Sequence, residues 1–247
     1  MTRTAATSAS VRLGSSEPKR RPHTRIERSL RDRGYALVAG VDEVGRGCLF
    51  GPVTAAAVIL DPRRPVRGLN DSKQLDAERR RTLSERIRER AVAVSVAAVD
   101  SAQIDRVNIY QASRWAMKAA VMGLTPAAQA IVVDALSLDV DLPQRSIIRG
   151  DATSSSVAAA SIVAKVERDR WMEEWDRVFP EYGLASNKGY GSPDHLAALD
   201  KYGPTPLHRM TFAPVAERCC FGLVGDLQLA LPFLSPHRGA DTFPART

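Results

Sequence analysis

The chain has 247 residues, of which 44% are hydrophobic and 26% are charged, as in ordinary globular proteins. This length suits one α/β domain with extensions, or at most two small domains. The longest apolar runs are much shorter than the roughly 20 residues that a membrane span needs, and no apolar segment of a secretory signal follows the charged N-terminus. We therefore expect neither a membrane span nor secretion.

Cysteine usage indicates the compartment. The sequence has three cysteines, an odd number, and two of them are neighbours, which is a poor geometry for a disulfide. Free thiols are typical of a reducing environment, so we expect a cytoplasmic protein. The cysteines are Cys48, Cys219 and Cys220.

Most of the net charge of +7 lies near the N-terminus, where residues 1–34 hold nine Lys and Arg against three Asp and Glu. Such a segment can attract phosphates independently of sequence, or it can be a solvated extension without a partner. Residues 1–25 are rich in Ser, Thr, Ala and Arg and show little periodicity. We predict that residues 1–33 form a basic, disordered extension and that ordered structure begins near Tyr35.

The N-terminal half of the remaining chain alternates apolar runs with charged, helix-forming stretches. A glycine-rich turn between the first two apolar runs favours a hairpin, and Ser101 is a suitable N-cap for a helix. The predicted elements are strands over 35–42, 51–60 and 91–99, a loop over 61–75, and helices over 76–90 and 101–124.

The C-terminal half begins with two more apolar runs, and each of them reaches an aspartate. A long stretch of small and then charged residues follows and suits a helix packed closely on a sheet. The predicted elements are strands over 128–136 and 145–151, a helix over 154–175, and a loop over 186–196 that enters a short helix at Pro193. Strands and helices mix without strict alternation, which predicts an α/β fold with a mixed sheet.

Acidic residues end three of the predicted strands, namely Asp42 with Glu43, Asp134, and Asp151. Carboxylates that converge repel one another and lose hydration, and a divalent cation resolves that conflict. Oxygen ligands favour Mg²⁺ or Mn²⁺, and the four histidines are spaced unlike any zinc motif. The alternative is that each acid simply ends a strand at the surface.

The stretch Gly45-Arg46-Gly47 follows the first acidic pair directly. Glycines on both sides of an arginine let the backbone approach a ligand closely. The amide groups and Arg46 can then contact a phosphate or a sugar beside the metal. A hairpin turn whose arginine points into water is the alternative.

Seven segments in this order resemble the signatures of the type 2 ribonuclease H family, as found in bacterial ribonuclease HII. The resemblance covers about residues 34–216, and it departs from the usual pattern at Cys48 and Phe50, where proline and alanine are more typical. The segments are GVDEVGRGCLFGPVTAAAVIL (40–60), NDSKQL (70–75), IDRVNIYQASRWAM (104–117), VVDAL (132–136), GDATSSSVAAASIVAKVERD (150–169), NKGYGSPDH (187–195) and GPTPLHRMTFAPV (203–215).

The resemblance implies an RNase H-like mixed sheet flanked by helices, with a small C-terminal helical region. Residues 34–216 would form the catalytic domain and residues 217–247 a C-terminal tail. The implied activity is cleavage of the RNA strand of RNA–DNA hybrids and incision 5′ of single ribonucleotides in duplex DNA. These cuts would leave a 3′-hydroxyl and a 5′-phosphate and would need Mn²⁺ or Mg²⁺, two ions during catalysis.

The resemblance also assigns roles to individual residues. The implied metal ligands and catalytic groups are Asp42, Glu43, Asp134 and Asp151. The implied substrate contacts are Gly45, Arg46 and Gly47 at the 2′-hydroxyl, Tyr190 stacked on the sugar at the DNA side of the junction, and Ser72, Lys73 and Lys188 at phosphates. Without the resemblance, Tyr190 would be an ordinary tyrosine in a glycine-rich loop, and the two lysines ordinary surface lysines.

Residues 228–233, Gln-Leu-Ala-Leu-Pro-Phe, resemble the short peptide with which many bacterial DNA-repair enzymes dock on the sliding clamp. An extended peptide with apolar anchors enters a groove in this way. The docking residues would be Gln228, Leu231 and Phe233. The alternative is an apolar strap that packs on the body of the protein.

Two other classes of function are weighed against a metal-dependent nuclease. One is a nucleic-acid-binding module whose acids only shape the fold, but all four candidate ligands are present. The other is a metal phosphohydrolase of small metabolites, but the basic N-terminal arm and the Gly-Arg-Gly segment favour a polymer. No heptad repeat or apolar interface stripe is visible, so we expect a monomer.

Overall fold

The structure, a computed structural model, describes residues 22–219. Its centre is a five-stranded sheet with the strand order β3-β2-β1-β4-β5. The strands are β1 Val38–Val44, β2 Val53–Ile59, β3 Ala93–Val99, β4 Ala130–Asp134 and β5 Gln144–Ile147. The helices are α1 Arg25–Arg31, α2 Ala77–Arg90, α3 Ser101–Val107, α4 Ile109–Met122, α5 Gly150–Thr153, α6 Ser155–Asp176, α7 Leu184–Asn187, α8 Pro193–Tyr202 and α9 Ala213–Ala216, with 3-10 turns at Ser72–Gln74 and Pro180–Tyr182.

The sheet is mixed, as predicted. Strand β2 pairs antiparallel with both β1 and β3, whereas β1 pairs parallel with β4 and β4 pairs parallel with β5. In the parallel pair, Val41 lies opposite Val133. The C-terminal ends of β1 and β4, which carry Asp42 and Asp134, therefore meet at one edge of the sheet.

Helices cover both faces of the sheet. Helix α4 packs its buried face, including Met117, on one side, and α6 packs on the other. The first half of α6 is rich in small residues and approaches β1 so closely that a Cβ added at Gly40 would overlap the backbone of Ser156. Side chains further along α6 are thereby brought close to the end of β1.

The small C-terminal helical region is built around the aromatic side chain of Phe50, which is fully buried just before β2. Phe50 makes edge-to-face contacts with Trp175, Phe179 and His208. Buried side chains of α7, α8 and α9 complete this cluster. The region therefore packs on the loop that leads from the end of β1 into β2.

The prediction that residues 1–33 are disordered is wrong for residues 22–33, because α1 lies within them. Leu30 is buried in one apolar cluster with Val38, Val132 and Val157, and the last two of these lie far away in sequence. One pair of apolar residues in a charged segment shows no helical periodicity, so the local pattern did not predict α1. Packing of Leu30 in this cluster stabilises the helix. Residues 1–21 and 220–247, including Gln228, Leu231 and Phe233, lie outside the described residues.

Two predicted element boundaries also differ from the structure. The helix expected over 101–124 is two helices, because Asn108 has φ 71° and caps α4 by accepting a hydrogen bond from the amide of Gln111. The strand expected over 145–151 ends at Ile147, so Asp151 lies on the short helix α5. Within residues 22–219, no helix is long and apolar enough to cross a membrane.

Candidate active site

A cavity of about 240 Å³ opens at the edge of the sheet where β1 and β4 end. All the metal and substrate residues predicted from the sequence line this cavity, apart from Lys188 and the tail residues. The cavity-lining residues from the prediction are Asp42, Glu43, Gly45, Arg46, Gly47, Ser72, Lys73, Asp134, Asp151 and Tyr190. Two residues of α6 join them, Ser161 and Lys165.

Asp42 and Glu43 lie near the C-terminal end of strand β1. Asp42 is only 6% exposed, and its Oδ1 accepts a hydrogen bond of 2.8 Å from the amide of Glu43. Burial raises the pKa of Asp42 well above its usual value, and the charges of Glu43 and Asp134 raise it further. Burial also raises the pKa of Glu43, against the opposing effect of the Arg46 guanidinium, whose Nη1 lies 3.2 Å from Oε1.

Asp134 and Asp151 approach from the other side of the cavity. Oδ1 of Asp134 accepts a hydrogen bond of 2.8 Å from the amide of Gly150, the residue before Asp151. The pKa of Asp151 is raised by burial first, then by the charges of Asp71 and Asp134, while Lys73 lowers it. Negative charge therefore exceeds positive charge in the cavity.

The residues of the cavity fit a hard divalent cation. The candidate ligands are carboxylates, and no histidine or cysteine among residues 22–219 lines the cavity, so oxygen-preferring Mg²⁺ or Mn²⁺ suits it better than zinc. No three acidic, histidine or cysteine side chains among residues 22–219 are already arranged around one point. Converging carboxylates repel one another, and a bound cation would offset that repulsion.

The loop after β1 is held from behind by a buried arginine. Arg209 is fully buried and donates hydrogen bonds to the carbonyls of Gly45, Arg46 and Gly51, at 2.7, 2.8 and 3.0 Å. Gly45 has φ +89°, and a Cβ there would overlap the side chain of Arg168. Glycine is thus required at position 45 both by its backbone conformation and by space.

Tyr190 is 43% exposed at the mouth of the cavity, on a loop that a second buried arginine supports. Arg168 donates hydrogen bonds to the carbonyls of Lys188, Phe50 and Pro52, at 2.7, 3.0 and 3.1 Å. The loops that carry Arg46 and Tyr190 are therefore tied to the same framework.

Two buried histidines hold the backbone of Tyr190. The amide of Thr205 donates to Nδ1 of His208, so His208 carries its proton on Nε2 and donates it to Nε2 of His195, 3.1 Å away. His195 is then left to donate from Nδ1 to the carbonyl of Tyr190, at 2.8 Å. Burial, followed by the interaction with His195, lowers the pKa of His208 to about 3, so His208 is neutral at neutral pH.

Two of the residues predicted to contact phosphates make contacts within the protein. Ser72 is 6% exposed, and its hydroxyl lies 2.9 Å from that of Ser161. Lys188 lies outside the cavity because its Nζ is drawn to Glu173 on α6, at 2.9 Å. Lys73 and Lys165 are the lysines that line the cavity.

Sequence reasoning missed several residues that shape the site. Ser161, Lys165 and Arg168 follow a helical i, i+4, i+7 spacing, and this spacing could have placed them on one face of α6. Arg209 gave no comparable signal, because its carbonyl acceptors lie more than 150 residues earlier in the chain. Asp71 beside Asp151 was also missed.

Comparison with known proteins decides the family. A family model described as Ribonuclease HII matches residues 39–215. The chain belongs to the ribonuclease HII family. A ribonuclease HII of Solibacter usitatus is 61% identical over 206 residues, covering 83% of this chain and 90% of the relative. One from Enterococcus faecalis is 51% identical, covering 78% of this chain and 76% of the relative.

Solved structures agree with the fold. The ribonuclease H2 of Pyrococcus horikoshii OT3 matches with a TM-score of 0.64 and 27% identity, covering 74% of this chain and 96% of that chain. The RNase HII of Archaeoglobus fulgidus, solved in complex with PCNA, matches with a TM-score of 0.63 and 26% identity, covering 76% and 98%. The predicted α/β fold and family are confirmed. The protein is a type 2 ribonuclease H, an endonuclease that acts on RNA–DNA hybrids.

Proposed function

We propose that this ribonuclease H also incises duplex DNA 5′ of a single embedded ribonucleotide, leaving a 3′-hydroxyl and a 5′-phosphate. The observation that carries the proposal is the composition of one cavity. Four carboxylates from β1, β4 and α5 share it with a glycine-flanked arginine and an exposed tyrosine. The carboxylates suit phosphodiester chemistry, and the other groups suit the recognition of one sugar.

Asp42, Glu43, Asp134 and Asp151 are the proposed ligands of Mn²⁺ or Mg²⁺. Bound divalent cations supply the Lewis-acid chemistry of phosphodiester hydrolysis. The protein contributes a negatively charged cavity, in which Glu43 is oriented by Arg46 and Asp134 by the amide of Gly150. Direct attack of water on the phosphorus, with departure of the 3′-oxygen, accounts for the proposed ends.

Ribose recognition is assigned to Gly45, Arg46, Gly47 and Tyr190. The 2′-hydroxyl is the group that distinguishes RNA from DNA at one position, and it is recognised here rather than used as the nucleophile. Arg46 would take part in both ribose recognition and the metal site, because its guanidinium pairs with the candidate ligand Glu43. Lys73 is the proposed phosphate contact of this cavity. Lys165 also lines the cavity, but its Nζ is paired with Asp169 at 2.6 Å.

The test uses a labelled DNA duplex with one ribonucleotide and an all-DNA duplex as the control substrate. Wild type with Mn²⁺ or Mg²⁺ is expected to cut only the first duplex, 5′ of the ribonucleotide, and Asp134→Asn to cut neither. An asparagine can keep the acceptor for the Gly150 amide while removing the charge. Cleavage of long hybrids without incision at a single ribonucleotide would restrict the function to hybrids. Incision by folded Asp134→Asn at the wild-type rate would contradict the ligand assignment.

Residues 228–233 are the proposed docking peptide for a sliding clamp. The support is their sequence, together with the PCNA complex of the Archaeoglobus fulgidus relative. In a pull-down with the clamp, Gln228→Ala combined with Phe233→Ala is expected to abolish capture while leaving incision unchanged. Capture at the wild-type level would favour the alternative, an apolar strap. The proposed enzyme acts as a monomer in the cytoplasm, where the expected free thiols stay reduced.

A further inference from the structure

Glu27 on α1 is a buried carboxyl group bound to the beginning of α6. It is 3% exposed, and its Oε1 accepts hydrogen bonds from the hydroxyls of Ser154 and Ser156 and from the amide of Ser156, at 2.6, 2.7 and 2.9 Å. The other oxygen, Oε2, has no hydrogen-bond partner among residues 22–219. Two hydroxyls and one amide at the positive end of a 22-residue helix thus donate to Glu27.

Backbone hydrogen bonds fasten the same two segments beside Glu27. The amide of His23 donates to the carbonyl of Thr153 at 3.0 Å, and the amide of Ser155 donates to the carbonyl of His23 at 3.1 Å. Leu30 adds an apolar contact with Val157. We call residues 23–30 the N-terminal brace, because they grip residues 153–157 at three points.

The brace contacts Thr153, which lies two residues after Asp151. Helix α5, which carries Asp151, has only four residues, and its N-cap Arg149 makes no side-chain cap hydrogen bond. So short a helix has little stability of its own. The amide of Gly150, its first residue, donates a hydrogen bond to Asp134, and the carbonyl of Thr153 accepts one from His23 of the brace.

We propose that Glu27 is a positioning residue for Asp151, acting through the hydrogen bonds that hold residues 153–156. This inference rests on the proposed function, in which Asp151 is a metal ligand. Without the brace, α5 would lose the hydrogen bond at its C-terminal end and would be opposed by repulsion of Asp151 from Asp71 and Asp134, with the Gly150–Asp134 hydrogen bond and the link to α6 remaining. Supporting residues behind metal ligands affect metal affinity by about 10-fold to 100-fold when they are removed.

The test compares Glu27→Ala with Glu27→Gln, which keeps an acceptor, and with Ser29→Ala on the exposed side of the same helix. Two measurements are made on the full chain without substrate: Mn²⁺ affinity by calorimetry, and amide hydrogen exchange of residues 150–156 relative to β1. Thermal unfolding shows that each variant is folded. If Glu27→Ala does not fold, Glu27→Asp, shorter by one methylene, takes its place.

Glu27→Ala is expected to weaken Mn²⁺ binding by about 10-fold and to accelerate exchange in residues 150–156 but not in β1. The KM for a ribonucleotide-containing duplex at saturating Mn²⁺ should stay unchanged. Glu27→Gln and Ser29→Ala should match wild type within about twofold. A folded Glu27→Ala with wild-type Mn²⁺ affinity and wild-type exchange would overturn the proposal. If wild type itself binds no Mn²⁺, the proposed function fails, and exchange alone decides the role of the brace.

Discussion

Removing the charge of Asp42 should stabilise the metal-free protein while abolishing its activity. Asp42 is buried, and its neighbours Glu43 and Asp134 carry the same charge. Asparagine has nearly the same shape and can keep the acceptor for the Glu43 amide. Asp42→Asn therefore removes repulsion without opening a hole in the site.

The sign and size of the effect follow from the raised pKa of Asp42. A carboxyl whose pKa is higher in the folded than in the unfolded protein contributes stability below its unfolded pKa, and that contribution is lost as pH rises through the folded pKa. As pH rises through the folded pKa, wild type takes on the cost of a charged carboxylate in this buried site. Two like charges about 6 Å apart repel by about 3 kcal/mol at an effective dielectric constant of about 20, and imperfect hydrogen bonds to asparagine cost about 1 kcal/mol.

The expected gain is about 1–2 kcal/mol for Asp42→Asn, or about 2–8 °C in Tm for a domain of this size. Thermal unfolding in EDTA between pH 5 and 8 measures it, and the gain should grow with pH. Asp61→Asn is the control, because hydrogen bonding from the backbone amide of Arg63 lowers the pKa of the Asp61 carboxyl. Mn²⁺ should then raise the Tm of wild type more than that of Asp42→Asn.

The reasoning is refuted if Asp42→Asn has a lower Tm than wild type in EDTA at pH 7.5. It is refuted equally if the difference in Tm does not change with pH. Either result would mean that the carboxylate is better solvated in the folded protein than its burial and its charged neighbours indicate.

Two further predictions concern the loops around the cavity. Gly45→Ala should lower Tm and reduce kcat/KM at least tenfold, because positive φ and overlap with Arg168 force the loop to move. The Cβ of Gly47→Ala meets no atom of residues 22–219 within 4 Å, so Tm should be unchanged in this variant. Equal Tm for both variants would contradict this. Lys73→Ala should raise KM and reduce its salt dependence, but Lys188→Ala should change KM less than twofold, because Lys188 is paired with Glu173. A reversed order would restore Lys188 as a phosphate contact.

Local patterns predicted the central part of this fold because its strands carry their own signal. The apolar runs that end at Asp42 and Asp134 identify β1 and β4, and the parallel pairing of these strands brings both acids to one edge. Asp151 lines the same cavity, but it lies on a four-residue helix and not at the predicted strand end. Residue type and order were enough to find the carboxylates, but not to show how each is held.

Contacts between distant segments explain what the sequence could not predict. Glu27 lies in a charged segment that resembles a solvated tail, and its partners Ser154 and Ser156 follow 127 and 129 residues later. Lys188 has the residue type of a phosphate contact, but one ion pair with Glu173 turns it away from the cavity. Such outcomes depend on tertiary packing, which a local pattern does not encode.

The two buried arginines show why the loops around the cavity can form a rigid surface. Carbonyl groups in irregular loops have no strand partner, and buried carbonyls without a donor are costly. A guanidinium offers five donors in a fixed plane, and Arg168 and Arg209 each satisfy three carbonyls in this way. Burial lowers the pKa of Arg209 to about 10, so it stays charged at neutral pH. Arg209 binds the loop of Gly45 and also Gly51, and Arg168 binds both the segment before β2 and the loop of Tyr190. Because each guanidinium donates to more than one segment, displacement of one loop would disturb the hydrogen bonds of another. The groups proposed to recognise the ribose are therefore positioned before substrate binds, and discrimination requires little further ordering of the protein.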